Sequence, residues 1–358
     1  MASNDGMNYA PRAKASKVCK PGDFRFASIG LDHGHIYGMT AGLVDAGAEV
    51  VGVWDPDPSK IKTFLSQFPD AKVYGSKAEA MGDKSTQLIA SAAIPSDRGP
   101  LGLEVMDSGK HYFSDKAPFT THEQLAAARK KVEATGLKWA VCYSERVQNE
   151  AAVYAGQLVM DGEIGRVLQV MGMGPHRLGA KNRPEWFFKK KYYGGILTDI
   201  GSHQIEQFLY YTGAKDAQVL NATVANHNHP EYSELEDFGE AHLLGDNGAT
   251  NYFRVDWFTP DGLGTWGDGR TFILGTEGYI ELRKYIDVAR DKVGDQVYLV
   301  TQKGEYHIPA NGTVGFPYFG ALIRDCLDGT DLAMPQEHTF KAGELCLKAQ
   351  DAAVRIGS

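Results

Sequence analysis

The chain has 358 residues, 43% hydrophobic and 23% charged, an ordinary globular composition with room for two hydrophobic cores. A diffuse formal net charge of -8 argues against nucleic acid as a partner, and no apolar run reaches the length of a membrane span. The four cysteines (Cys19, Cys142, Cys326, Cys346) form no C-x-x-C pair, which gives neither a zinc knuckle nor a redox couple and fits a reducing cytoplasm.

Residues 1–23 are polar and broken by Gly6, Pro11, Pro21 and Gly22, with no apolar signal core. They read as a flexible arm, with Met7 as an alternative start. Phe24–Gly30 then turns apolar and reads as a buried strand. A glycine turn follows (Gly30-Leu31-Asp32-His33-Gly34-His35-Ile36-Tyr37-Gly38), then a helix over 36–46 and a strand over 49–54 that ends at Asp55. Strand, glycine turn, helix, strand and acidic residue form the layout of a dinucleotide-binding unit. Asp55 is placed to accept hydrogen bonds from an adenosine ribose and to repel a 2′-phosphate, which favours NAD over NADP. The glycines depart from G-x-G-x-x-G, because Asp32 holds the middle position.

Alternation continues with a helix over 58–68, a short strand near Val73, a strand over 87–94 and a helix over 99–108. A strand over 110–114, a helix over 121–135 and a strand over 138–143 complete it. Strands separated by helices predict a parallel, doubly wound sheet whose ligands bind beyond the carboxyl ends of the strands. Ser114-Asp115-Lys116-Ala117-Pro118 lies at one such end, where a lysine can donate to a substrate oxygen.

A boundary near Tyr143–Gln148 leads into a helix over 147–160, a tight turn over 161–166 and a strand over 167–173. Residues 175–193 interleave Arg177, Lys181, Arg183, Lys189, Lys190 and Lys191 with Trp186, Phe187, Phe188, Tyr192 and Tyr193. That mixture suits either a solvated loop with tucked aromatics or a substrate loop, in which a ring stacks on a sugar and a cation binds an anionic group.

Gly194-Gly195 then opens a segment in which Thr198 or Asp199 caps a helix toward Thr212. Asp199 and His203 sit at i and i+4 on one face, a carboxylate stacked on an imidazole. Strands over 217–224, 238–244, 250–258, 270–274, 278–282 and 296–301 predict an open, largely antiparallel sheet. Its bare face is a candidate subunit interface. Helices over 317–328 and 339–356 close the chain. The H-x-H pairs His33/His35 and His227/His229, the latter near Glu231, Glu234 and Glu236, sit beside Gly, Asn or Pro and read as loop histidines, so no metal is expected.

These pieces resemble the Gfo/Idh/MocA oxidoreductases, over about Phe24 to Ile356. Asp55 ends the dinucleotide unit, Asp115-Lys116-Ala117-Pro118 is similar to the family's Glu-Lys-Pro segment, and Gly194 through Glu206 is similar to its G-G-x-x-x-D-x-G-x-H-x-x-D segment. Arg146 and the Asp161–Arg166 turn also resemble family features. Asp115 replaces Glu, Ala117 is inserted, Glu206 stands for Asp, and Arg98 stands where many members carry a histidine.

The resemblance implies an α/β protein: an N-terminal Rossmann doubly wound parallel sheet (residues 24–146) plus a C-terminal α/β domain with an open, largely antiparallel sheet (147–358). The final helix is free to pack back on the first domain. It implies a Lys116–Asp199–His203 catalytic group and a homo-oligomer, dimer or tetramer, formed through the second sheet. The cofactor-binding set is Gly30, Asp32, His33, Gly34, His35, Asp55, Ala93, Pro95, Arg98, Asp115 and Lys116. The substrate-binding set is Arg146, His176, Arg177, Arg183, Trp186, Asp199 and His203. The expected reaction is NAD-dependent oxidation of a secondary hydroxyl of a sugar, glycoside or cyclic polyol. The alternatives are a glycoside-processing enzyme that retains its NAD, and a non-catalytic NAD-binding protein.

Overall fold

The computed structural model describes residues 6–7, 9–13 and 15–357. The chain divides into two compact units. One holds Met7–Cys142 and Phe316–Phe340; the other holds Gly6, Tyr143–Gly315 and Lys341–Ser358.

In the first unit, strands β1 (Arg25–Ile29), β2 (Glu49–Trp54), β3 (Lys72–Val73), β4 (Leu88–Ser91), β5 (His111–Asp115) and β6 (Trp139–Cys142) form one sheet. Its order is β3-β2-β1-β4-β5-β6 and every neighbouring pair is parallel. The order reverses between β1 and β4, which opens a crevice at their carboxyl ends. Every residue of β4 and β6 is buried, as expected where helices cover both faces.

The connecting helices are α1 (His35–Asp45), α2 (Pro58–Gln67), α3 (Lys77–Gly82), α4 (Pro95–Asp107) and α5 (His122–Thr135). Asp57 caps α2 and Thr121 caps α5 through the amides of Ser59 and Gln124. Helix α3 was not anticipated, although Ser76 and Glu79 form the S-x-x-E start signal and the Ser76 hydroxyl accepts the Glu79 amide at 3.1 Å. Helix α4 starts at Pro95 rather than at residue 99, with Pro95 in the first turn and Pro100 inside the helix.

The arm expected over residues 1–23 lies partly outside the described residues, and the alternative start concerns a stretch mostly outside them. Its described later part is tied down rather than free. Val18 donates to Ala46 O at 2.9 Å, and Arg12 bonds Asp45 at 3.1 Å.

The second unit opens with α6 (Ser144–Val147) and α7 (Glu150–Met160), separated by Gln148 and the capping Asn149, where one helix over 147–160 was expected. Next come β7 (Val167–Pro175), α8 (Lys190–Tyr193), α9 (Ile196–Asp199) and α10 (Gly201–Thr212). The remaining strands are β8 (Ala217–Ala225), β9 (Phe238–Gly245), β10 (Thr250–Asp256), β11 (Arg270–Gly275), β12 (Gly278–Arg283), β13 (Gln296–Thr301) and β14 (Gly304–Pro309).

Two helices follow. Helix α11 (Pro317–Asp328) belongs to the first unit, and α12 (Gln336–Ala352) runs from the first division into the second. An uninterrupted second domain over 147–358 is therefore not what the chain forms. A Cβ on Gly42 of α1 would meet the Phe319 ring at 2.5 Å, so the glycine is what lets α11 close on α1. The final helix also ends earlier than residue 356, because Val354–Arg355 forms β15, parallel to β8.

The second sheet has the order β14-β13-β12-β11-β7-β10-β9-β8-β15. Its pairs are antiparallel except β7–β10 and β8–β15. The protein is thus α/β, with one parallel sheet and one mixed, mostly antiparallel sheet. Met171, Leu244, Tyr252, Leu274 and Tyr279 are exposed and, by register, share one face of the second sheet. The opposite face carries α10.

Candidate active site

In the first unit the turn after β1 is built on Gly30, at φ +69°, where a Cβ would lie 3.0 Å from Ala93 Cβ and 3.2 Å from Ser91 Oγ. A side chain here would be strained by the backbone and crowded by its neighbours. Asp55 is buried at the end of β2, and its two oxygens accept the amides of Leu31 at 2.7 Å and Asp57 at 2.8 Å. Burial pushes its pKa above the ordinary carboxylate value, while those amides and Lys60 pull the other way. Lys60 bonds Asp32 at 2.6 Å, so Asp32 is engaged beside the turn.

A dinucleotide fits this turn at Asp55, whose oxygens each keep acceptor capacity for a ribose hydroxyl, and at Gly30, where backbone can come close. At the start of α1, however, Gly34 N–H is taken by Met7 O at 3.0 Å and His35 N–H by His33 Nδ1 at 3.2 Å. The Asp32–His35 stretch thus satisfies amides that a glycine turn would offer to phosphate.

Asp115, at the end of β5, collects a buried cluster. Its carboxylate accepts from His35 Nδ1 at 2.9 Å, Arg98 Nη2 at 3.0 Å and the Lys116 amide at 2.8 Å. Burial works against its charge, but His35 and Arg98 outweigh it and hold the carboxyl well below the usual range. Burial, then the neighbouring His35, keeps the His33 imidazole well below its ordinary pKa. Arg98 also donates to Ala93 O at 2.7 Å and to the carbonyl of Lys116.

Arg98 is 1% exposed and Asp115 0%, and the two are paired with each other. They shape the loop that carries Lys116. Pro95 lies at the first turn of α4, just after Ala93. His33, His35 and Asp115 offer ligand atoms within 4.8 Å of one another. The guanidinium on Asp115 already supplies the positive charge there.

In the second unit, Gly194 (φ +85°) ends α8 and Gly195 (φ +102°) starts α9. A Cβ on Gly195 would meet Gln350 Cδ at 2.2 Å. Gln350 Oε1 accepts the Leu197 amide at 3.1 Å, and the wholly buried Glu236 accepts the Ile196 amide at 2.9 Å and the Lys190 ammonium. The helix start is therefore capped by Glu236 and Gln350, and not by Thr198 or Asp199. Asp199 ends α9 instead, and Ile200 keeps right-handed helical geometry into α10. Asp199 and His203 remain one turn apart on a shared face, both buried.

Around His203 lies a polar network that the sequence reading did not contain. Glu145 Oε2 accepts from Lys284 Nζ and Gln204 Nε2, both at 3.0 Å. Lys284 Nζ also donates to Gln207 Oε1 at 2.7 Å, and Gln207 Nε2 donates to His203 O at 2.8 Å. Burial pushes Glu145 up, but Lys284, His203 and His176 overcome it and bring its pKa to about 2. Gln204 and Gln207 share the α10 segment with His203, a polar spacing that was the available signal. Glu145 and Lys284 are far apart in sequence and carry no local signal.

The candidate substrate cations are largely occupied. Arg146 forms a buried pair with Glu206 (Nε at 2.7 and 2.9 Å, Nη2 at 2.6 Å) and stacks at 4.0 Å on Tyr210. Arg177 donates to Pro260 O and Leu263 O at 2.8 Å, stapling that loop. Arg183 donates to Leu178 O at 2.9 Å and stacks on Phe187. His176 packs between Trp257 and Trp266, and Trp186 is half-buried beside Phe187. His229 Nδ1 bonds Asp237 at 2.9 Å.

The GFO/IDH/MocA C-terminal domain model matches residues 153–281. A crystal structure from Erwinia carotovora atroseptica SCRI1043, under a provisional oxidoreductase name, is 52% identical, covers 94% of this chain and 100% of that one, and superposes with a TM-score of 0.91. The chain belongs to the Gfo/Idh/MocA family. It is an oxidoreductase of the dehydrogenase type. The scyllo-inositol 2-dehydrogenase (NAD(+)) of Bacillus subtilis (strain 168) is 26% identical over 72% of this chain and 72% of its own. The scyllo-inositol 2-dehydrogenase (NADP(+)) IolW of the same organism is 22% identical over 48% of this chain and 47% of its own. Among the described residues no helix is long and apolar enough to cross a membrane.

Proposed function

We propose that this Gfo/Idh/MocA protein oxidises a secondary hydroxyl of a sugar, glycoside or cyclic polyol with NAD as hydride acceptor. The observation that carries this reading is the Asp199–His203 pair, presented on a helix whose start is locked by Gly195, Glu236 and Gln350. His203 takes up the hydroxyl proton, and Asp199 orients it or holds a neighbouring hydroxyl. Lys116 donates to the reacting oxygen and stabilises the charge that builds on it. Nicotinamide, when bound, supplies the hydride acceptor. Gly30 and Asp55 would hold the dinucleotide, and relatives named for cyclic polyol oxidation support the substrate class. The exposed apolar residues on the second sheet support a homo-oligomer, and the reducing location proposed for it is the cytoplasm.

The test is cofactor reduction, followed by absorbance, against a panel of inositols, aldoses and glycosides. Growth of the reduced-cofactor signal with at least one hydroxyl substrate is expected, and aglycone release without it would favour the glycoside-processing alternative instead. Asp55 sets the cofactor preference in this reading. Asp55→Ala should raise the NADP-to-NAD ratio of kcat/KM by about tenfold, because a carboxylate no longer opposes the 2′-phosphate. An unchanged ratio would remove Asp55 from that role.

A further inference from the structure

We propose that the buried Glu145–Lys284 ion pair is a positioning and charge-setting device for His203. This rests on the reading of His203 as the proton acceptor. Glu145 is 2% exposed and Lys284 1%. A buried ion pair brings little net stability over well-packed apolar side chains, so stability does not account for placing one here. The geometry ties it to the base. Lys284 Nζ bridges Glu145 Oε2 (3.0 Å) and Gln207 Oε1 (2.7 Å), while Glu145 Oε2 also holds Gln204 (3.0 Å). Gln204 and Gln207 follow His203 on α10, and Gln207 holds the His203 carbonyl at 2.8 Å. Strand β7 makes room with glycines, since a Cβ on Gly172 would meet Gln204 Oε1 at 2.1 Å.

The pair is also asymmetric. Oε2 of Glu145 is doubly bonded, whereas buried Oε1 accepts no hydrogen bond among the described residues. A carboxylate with one oxygen open favours a nearby positive charge, and after Lys284 it is His203 and His176 that hold Glu145 low against its burial. The attraction is mutual: an imidazolium that stabilises the carboxylate is stabilised by it. Lys284 opposes that effect. The two charges therefore act on protonated His203 with opposite signs.

The other charged groups near this stretch of α10 are Asp199 from α9, His176 after β7, and the Arg146–Glu206 pair, which is internally neutral. Glu150 of α7 is engaged by the amides of Gly312, Val314 and Gly315. The β10 side chains on the α10 side, Asn251, Phe253 and Val255, carry no charge, nor do the β9 residues paired with them.

The test is a histidine-labelled NMR titration of the full chain, with the His203 signal identified by its loss in His203→Gln. Glu145→Gln should move the His203 midpoint to lower pH, and Lys284→Gln should move it to higher pH, each by about half a pH unit or more. Lys284→Arg, which keeps the charge, should leave it in place. With a turned-over substrate, the acidic limb of the kcat profile should move in the same directions while KM holds. Midpoints that stay put, or move the same way in both variants, overturn the proposal. If Glu145→Gln loses its circular dichroism, Lys284→Gln alone decides: an upward move supports the proposal, and anything else overturns it. The titration needs no substrate. A chain that oxidises nothing in the panel yet shows opposed shifts loses the proposed reaction and keeps the device.

Discussion

Replacing His203 with alanine should lower kcat/KM for hydroxyl oxidation by at least about two orders of magnitude, which is about 3 kcal/mol of transition-state stabilisation. Alcohol oxidation requires the hydroxyl proton to leave as hydride departs, and an uncatalysed alkoxide is far too unstable near neutral pH. In the second unit His203 is the imidazole placed one helical turn from a buried carboxylate, Asp199. Gln207 holds the His203 backbone carbonyl, a hydrogen bond that the substitution keeps. Folding and NAD affinity should therefore match the parent, as read by circular dichroism and cofactor titration. Asp199→Asn should cost less, since the imidazole survives with poorer orientation. A His203→Ala enzyme within tenfold of the parent would show that the base lies elsewhere.

The second large effect is on stability. Arg146→Ala should destabilise the second unit by about 3–5 kcal/mol, because it strands the Glu206 carboxylate, 0% exposed, without its partner. The guanidinium also loses its stack on Tyr210 at 4.0 Å. Replacing both charges, as Arg146→Met with Glu206→Leu, should recover most of that loss, since two apolar side chains carry no stranded charge. Two units make a single global unfolding energy ill-defined. Hydrogen exchange at the amides of α10 is the direct readout, with protection falling in Arg146→Ala and returning in the double variant. If Arg146→Ala instead raises KM and leaves α10 protection unchanged, Arg146 is a substrate ligand.

What was legible in the chain was local. The strand, glycine turn, helix and strand that end at Asp55 follow one another along the chain, and Asp199 and His203 lie one helical turn apart. The reason for Gly195 was not legible, because the side chain that fills its Cβ space, Gln350, lies far along the chain. Arg146, Arg177 and Arg183 looked like ligand cations because a sequence shows charge and hides partners. Their carbonyl, carboxylate and aromatic neighbours come from other elements. The same limit hid Glu145 and Lys284, whose pairing exists only once α6 and the end of β12 meet. Short elements escaped for a different reason. Strand β14 is mostly exposed and β15 is two residues long, so neither leaves an apolar period to detect.

The return of Phe316–Phe340 to the first unit bears on how the protein is made. Phe319 fills the space above Gly42, so the parallel sheet lacks part of its covering until that segment exists. On a ribosome Met7–Cys142, most of that unit, must wait, partly unclad, while Tyr143–Gly315 is synthesised. Domains usually mature in order of synthesis; here the one begun first is completed only after most of the other has been made, and a gene fragment stopping at Cys142 would yield a sheet with an open flank.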